Sequence, residues 1–293
     1  MPGVAFVVNG SLVRGGGHFL ALCREAAARY GWRAEVLVTE KAEAGIEAAN
    51  SAALDGIDLV VAVGGDGTVR GCAEGLARTG VPLAVVPHGT ANLLARTLRI
   101  PGHPRAALAV ALDSGGVDRV IDLAVADEVP FTAMAGMGLD AAVVAGTRLK
   151  HQFGWLAYAM SGAVHLSMPP ARFSIRLDDS APVEREARSV VVGNSGLLPG
   201  GFSLLPDARL DDGLLDVGVL APHGPFGWPR LATRVLTHSR RQDQMLERFL
   251  ARKVEITTCT PLPREVDGEL VTAGRSLTVT VQPDALTVRM PRL

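Results

Sequence analysis

From residue 4 to residue 100 the chain alternates two kinds of apolar pattern. VAFVVN (4–9), AEVLVTE (34–40), IDLVVAVGG (57–65) and VPLAVVP (81–87) are short, nearly continuous apolar runs rich in β-branched residues. Between them, HFLALCREAAARYG, AEAGIEAANSAAL, GTVRGCAEGLART and ANLLARTLRI repeat their apolar positions at helical spacing, while SLVRGGG reads as a loop. Apolar strands interleaved with such helices predict βαβ units and a mainly parallel sheet covered on both faces.

Beyond residue 118 the pattern changes. RFSIRLDDSAP, ARSVVVGNSG, LLDVGVLAP, KVEITTCT, REVDGELV and SLTVTVQ alternate in places and end at Gly, Pro or Asp. This predicts an antiparallel β-sandwich or a barrel-like domain, of which the sandwich is the expectation. Two stretches, 154–168 and 226–251, read as helices within it. The fold class is α/β followed by β, with an N-terminal domain over 1–123 and a β-rich domain over 124–282. The segment 283–293 is a candidate to return to the first domain.

Composition narrows the class without naming a function. Hydrophobic residues make up 48% of the 293 and charged residues 20%, a globular balance. A formal net charge of −1 gives no global attraction to nucleic acid or anionic lipid. Cys23, Cys72 and Cys259 follow no ligand spacing and predict reduced thiols. No run approaches the ~18–20 apolar residues of a spanning helix, and MPGVAFVVNGS lacks a basic n-region and a cleavage site. A cytoplasmic location is the expectation.

The candidate chemistry gathers at glycines. GGDGT (64–68) stands where a strand meets a helix, so its freed amides suit a phosphate. Neither a Walker loop nor a dinucleotide fingerprint is present. An acid in such a cradle repels phosphate unless a hard cation intervenes, which points to Asp66 joining Mg²⁺ to a nucleotide. The alternative is that Asp66 simply caps the next helix. A second Gly-Thr bend in PHGTANLLAR (87–96) ends the neighbouring strand, so Thr68 and Thr90 become candidate hydroxyl donors at one edge of the sheet.

GGDGT together with GTANLLAR resembles the diacylglycerol kinase catalytic family, which includes bacterial lipid kinases and is related to sphingosine and ceramide kinases. FTAMAGMGLDA (131–141), FGWLAY (153–158), VVVGNSGLLPGGFSLLPDARLDDGLLDV (190–217) and VDGE (266–269) match further motifs in the family's order. The resemblance implies a transferase that phosphorylates a lipid hydroxyl in phospholipid metabolism, using ATP and Mg²⁺. It places the nucleotide at Asn9, Thr39, Gly64, Gly65, Asp66, Gly67, Thr68, Gly89, Thr90 and Asn92. It makes Glu269 the general base and Asp66 a catalytic acidic group, although Asp267-Gly268 by itself reads equally as a hairpin turn. RLDDGLL (209–215) resembles a structural Mg²⁺ loop, with the Asp212 carboxylate and the carbonyls of Arg209 and Leu214 as ligands; a solvated turn is the alternative.

Two departures stand out. Arg70 and Gly71 occupy positions where the family often has Asn-Glu, and Leu93 replaces a common Asp. Asp122 still matches a family acid. His88 reads as structural. A lipid substrate implies peripheral membrane contact, for which GWLAYAMSGAVHLSMPP, HGPFGWPRL and HSRRQ are candidate segments, and the β-rich domain can pair into a homodimer. Two other functions remain open: a nucleotide- or lipid-binding regulator without turnover, and NAD kinase, which shares GGDGT but not GTANLLAR.

Overall fold

The computed structural model describes residues 1–14, 18–40, 42–138, 169–197, 204–223, 227, 230–231, 233–234, 237 and 245–292. Met1–Leu123 with Asp284–Leu293 form one compact unit and Ala124–Pro283 a second. The expected helix at 154–168, the FGWLAY motif and HSRRQ lie outside the described residues, as does part of HGPFGWPRL.

The first unit contains β1 (Gly3–Asn9), α1 (Gly10–Arg14), α2 (His18–Arg29), β2 (Arg33–Thr39), α3 (Ala42–Leu54), β3 (Leu59–Gly64), α4 (Asp66–Leu76), β4 (Leu83–Pro87), α5 (Leu93–Thr97) and α6 (Pro104–Leu112). β5 (Gly116–Ala126) leads out of it. The second unit adds β6 (Val129–Phe131), β7 (Met134–Gly138), β8 (Ala171–Leu177), β9 (Val183–Ala187), β10 (Ser189–Gly193), β11 (Leu215–Leu220), β12 (Leu246–Ala251) and β13 (Lys253–Val266). β14 (Glu269–Pro291) starts in the second unit and ends in the first.

In the first unit the strands lie parallel in the order β4-β3-β1-β2, with the end of β14 beside β4 through Val288 and Leu83. β3 and β4 are buried along their whole length, as their unbroken apolar runs predict, whereas edge strand β2 leaves Val38 exposed. The chain moves outward from β1 to β2, then returns past β1 to β3 and on to β4. With right-handed crossovers, that reversal sends α2 to one face and α3 and α4 to the other. α3 packs on α4 and α2 on α6. The α3–α4 approach is close enough that a Cβ on Gly75 would run into the Ile46 carbonyl.

One expected loop is helical. SLVR belongs to α1, because Asn9 just before it accepts bonds from the Ser11 amide (3.0 Å) and hydroxyl (2.6 Å), an Asn N-cap.

The second unit is an antiparallel sandwich. β12, β11, β10, β7 and β13 pair in that order, and β8 pairs with both β13 and β9. β13 joins two pieces the sequence separates, KVEITTCT and REV, through a register shift at CTPLPRE. Pro261 and Pro263 lack the amide a regular ladder needs, so the irregularity falls there. Phe131, Phe173, Ile175 and Ile256 fill the larger core, and Met134, Val191, Leu205 and Leu246 a second one.

The helix expected over 226–251 does not extend to its end: Leu246–Ala251 is strand β12, paired antiparallel with β11. Its buried residues, Leu246 and Ala251, flank an exposed Leu250, and the Arg185 guanidinium of β9 donates to both carboxylate oxygens of Glu247. Tertiary pairing overrides a locally helical spacing.

Candidate active site

Where strand order reverses, the carboxyl ends of neighbouring strands diverge and leave a crevice, the usual ligand position of an open α/β sheet. Here the reversal lies between β1 and β3. Asn9 ends β1 in register with Thr39 at the end of β2, while Gly64 at the end of β3 pairs with Pro87 of β4. The structure therefore brings Asn9, Thr39, the 64–68 bend and the 87–92 bend to one edge of the parallel sheet. The Asn9 side-chain Nδ2 donates to the Thr68 hydroxyl (3.4 Å) across the reversal.

The two bends touch. The His88 amide bonds the Gly64 carbonyl (2.7 Å), and a Cβ on Gly89 would stand 2.7 Å from the Gly65 Cα. Glycine at 65 and 89 is what lets the backbones meet. Asp66 fastens them. Its Oδ2 accepts the Asn92 amide (2.8 Å) and its Oδ1 the Leu93 amide (2.6 Å), at the start of α5. Asp66 is thus a cap, but for the helix of the other loop rather than its own. Asn92 has the left-handed φ of 49° this geometry requires, and its side chain returns to the Gly89 carbonyl (2.8 Å). Burial pushes the Asp66 carboxyl above its ordinary value, while the Leu93 and Asn92 amides pull the other way.

This leaves the start of α4 without a side-chain cap. Its leading amides and the positive end of its dipole suit an anion. Around it, Gly89 and Thr90 are exposed, Gly65 and Gly67 half-buried, and Thr39 and Thr68 buried. Thr68, held by Asn9, serves the packing of the bend as well as any ligand. One departure has a packing reason, since Leu93 is 1% exposed in the core; Gly71 lies on α4 beside Gly45 of α3. Asp122, fully buried, accepts the Asp284 amide (2.9 Å) and so anchors the returning end of β14. His88 meets the Phe19 ring edge-on at 5.8 Å.

In the second unit, Asp267 and Gly268 form a two-residue hairpin between β13 and β14, with φ of 47° and 77°. Positive φ at both central residues marks a type I′ turn, which Asp-Gly favours. Asp267, 5% exposed, accepts the amides of Thr132 (3.0 Å), Ala133 (2.9 Å) and Met134 (3.1 Å) and the Thr132 hydroxyl (3.2 Å). The Ala133 carbonyl in turn receives the amides of Asn194 (2.8 Å) and Ser195 (3.0 Å) from the 190–217 motif. Glu269 leads out of this braced turn and is exposed. The resemblance through VDGE points to Glu269 alone; the bonds that fix the turn before it come from Asp267, whose partners lie over 130 residues away, and Glu265, which accepts the Gly268 amide.

The 209–214 loop orders itself. Asp212 accepts the Leu214 amide (3.1 Å) across Gly213, whose φ is 70°, and the Arg209 guanidinium lies 3.5 Å from Asp211. Nearby, Asp216 in β11 is buried and its carboxyl is pushed up to about 7, by burial first and then by Asp212 and Asp207, against Arg248. Among the described residues no group of three or more His, Cys, Asp or Glu converges as a metal cage. Nucleotide-borne magnesium needs no such cage, only one or two carboxylates beside the phosphates. Asp66 keeps carboxylate lone pairs beyond the two its amide donors use, so the residues present fit that mode.

The chain thus pairs an open α/β unit, whose two glycine bends are joined by Asp66, with a sandwich that carries an exposed carboxylate after a braced hairpin turn. Residues 4–124 match the model of the diacylglycerol kinase catalytic domain, and residues 133–290 that of the YegS C-terminal NAD kinase beta sandwich-like domain. A "Probable lipid kinase YegS-like" protein of Pseudomonas aeruginosa is 38% identical over 80% of this chain and 78% of its own length. A Synechocystis relative is 30% identical over 81% of this chain, which spans 57% of that protein. Among solved structures, a "putative diacylglycerol kinase" of Bacillus anthracis is 25% identical with a TM-score of 0.81, covering 97% of this chain and 94% of that one. An ATP-bound NAD kinase of Archaeoglobus fulgidus shares the fold, at 14% identity and a TM-score of 0.54 over 98% and 93% of the two chains. The chain belongs to the diacylglycerol kinase catalytic-domain family, a family of lipid kinases.

Proposed function

We propose that the protein transfers the γ-phosphoryl group of ATP to the hydroxyl of a lipid, with diacylglycerol as the first acceptor to test. The observation that carries this reading is the pair of glycine bends locked together at the β1–β3 reversal beside an uncapped α4 N-terminus. Phosphates take the amides at the start of α4, with Gly65, Gly67, Gly89 and Thr90 lining the approach, and Asn9 and Thr39 end the adjoining strands. Asp66 faces a nucleotide-borne Mg²⁺ while it holds the second bend. Magnesium, when bound, neutralises charge on the phosphate oxygens.

The Glu269 carboxylate takes the proton of the lipid hydroxyl as that oxygen attacks the γ-phosphorus in line. The bond to the bridging oxygen breaks, ADP leaves, and the lipid carries a new phosphate ester. Working on such an acceptor places the protein at a membrane surface as a peripheral partner. No helix among the described residues is long and apolar enough to cross one.

The test is transfer of labelled γ-phosphate to mixed micelles holding, in turn, diacylglycerol, a glycerophospholipid, a sphingoid base and an isoprenoid alcohol, with NAD as a soluble competitor. A labelled lipid supports the reading and names its acceptor. Label in NAD alone moves the protein to the neighbouring kinase class. ATP binding with no labelled product makes it a nucleotide-binding regulator.

A further inference from the structure

We infer that Glu265 is a positioning residue for Glu269, an inference that rests on the reading of Glu269 as the base. Glu265 is an acid only 3% exposed, and its Oε2 accepts the Gly268 amide at 2.7 Å. That amide belongs to the Asp267–Gly268 peptide in the middle of the turn, one peptide before the Gly268–Glu269 link. A two-residue hairpin turn leaves its two central amides outside the strand ladder, and here both have acceptors: the Asp267 amide bonds the Met134 carbonyl (2.8 Å) and the Gly268 amide bonds Glu265. The Val266–Glu269 pairing closes the ladder directly below.

The neighbouring strand sets no side chain opposite the Glu265 carboxylate. Glu265 stands opposite Gly136 of β7, in a register running from Arg264–Met137 to Val266–Ala135. Val266 belongs to the large core on the other face of the strand, so Glu265 projects away from that core. Displacing a catalytic group by about 1 Å costs on the order of a hundredfold in rate, so the bond has leverage out of proportion to its size.

The experiment compares wild type with Glu265→Ala, Glu265→Gln, Glu269→Gln and the Glu265→Ala/Glu269→Gln double variant. We expect Glu265→Ala to lower kcat by roughly tenfold to a hundredfold with KM for ATP unchanged. Glu265→Gln, whose side-chain carbonyl can accept the same bond, restores most of the rate. The double variant is no slower than Glu269→Gln alone, because a residue that acts through Glu269 has nothing left to position. Amide hydrogen exchange of residues 266–270 supplies a readout independent of turnover, with faster exchange expected at Gly268 in Glu265→Ala. An unchanged kcat or unchanged exchange in Glu265→Ala overturns the inference, as does a further loss in the double variant. Wild-type turnover in Glu269→Gln instead overturns the reading of the base, while the exchange result still reports on the Glu265 bond.

Discussion

Asp66-Gly67 and Asp267-Gly268 carry the same dipeptide into two different backbones. The first opens a helix after a buried parallel strand; the second closes a hairpin with φ of 47° and 77°. Despite this, the two aspartates do similar work. Asp66 takes two amides from the start of α5, and Asp267 takes three amides and a hydroxyl from residues 132–134. Each ties its bend to a segment remote in sequence. In both places the group suited to chemistry is the aspartate's neighbour: the uncapped amides of α4 in one unit, the exposed Glu269 carboxylate in the other. An acid beside glycine thus first fixes a bend, and the bend then presents something else.

The contrast can be broken most sharply at Glu269. Glu269→Gln leaves an exposed side chain of the same shape, so phosphoryl transfer should fall by about 10²- to 10⁴-fold with the fold intact, read from initial rates and the thermal midpoint. Asp267→Ala should act on stability instead. It strands three amides at the start of β7 and should destabilise the second unit by about 4 kcal/mol, measured by urea denaturation.

Asp216 sharpens the comparison, because it is a buried aspartate that accepts no backbone amide among the described residues, and its carboxyl is pushed up to about 7. A raised carboxyl favours the protonated fold. Its contribution is complete below about pH 4 and is lost as pH rises through 7. Asp216→Asn should therefore match wild type near pH 4 and exceed it at pH 8, by about 2 kcal/mol once solvent screening is allowed for, in denaturation curves across that range. The smallest effect belongs to Asp66→Ala. Freeing the Asn92 and Leu93 amides should weaken ATP binding roughly fivefold to thirtyfold, the 1–2 kcal/mol of a lost cap, measured with chelator present so that a lost Mg²⁺ ligand does not add to it.

The parallel unit was legible because its strands are buried on both faces, so the apolar runs of β1, β3 and β4 announce themselves. The glycine bends were legible for a related reason: glycine at a strand–helix junction has few other uses. What the sequence hid depends on distance or brevity. Five-residue α1 shows no period, only the Asn9 cap before it. QMLERFLA reads as helix until β11 is there to pair with it. Nothing local in GGDGT says that Asp66 reaches Asn92 and Leu93, and nothing in VDGE says that Asp267 reaches Thr132. A carboxylate's partner is a property of the folded chain: GGDGT by itself points Asp66 to magnesium, and only the fold adds its bonds to α5.

The most direct test measures ATP affinity and phosphoryl transfer side by side in Asp66→Ala and Glu269→Gln. The account predicts a division: Asp66→Ala binds ATP weakly, whereas Glu269→Gln binds it as wild type does and fails to transfer. Transfer at the wild-type rate by Glu269→Gln, or an undiminished ATP affinity in Asp66→Ala, would contradict it.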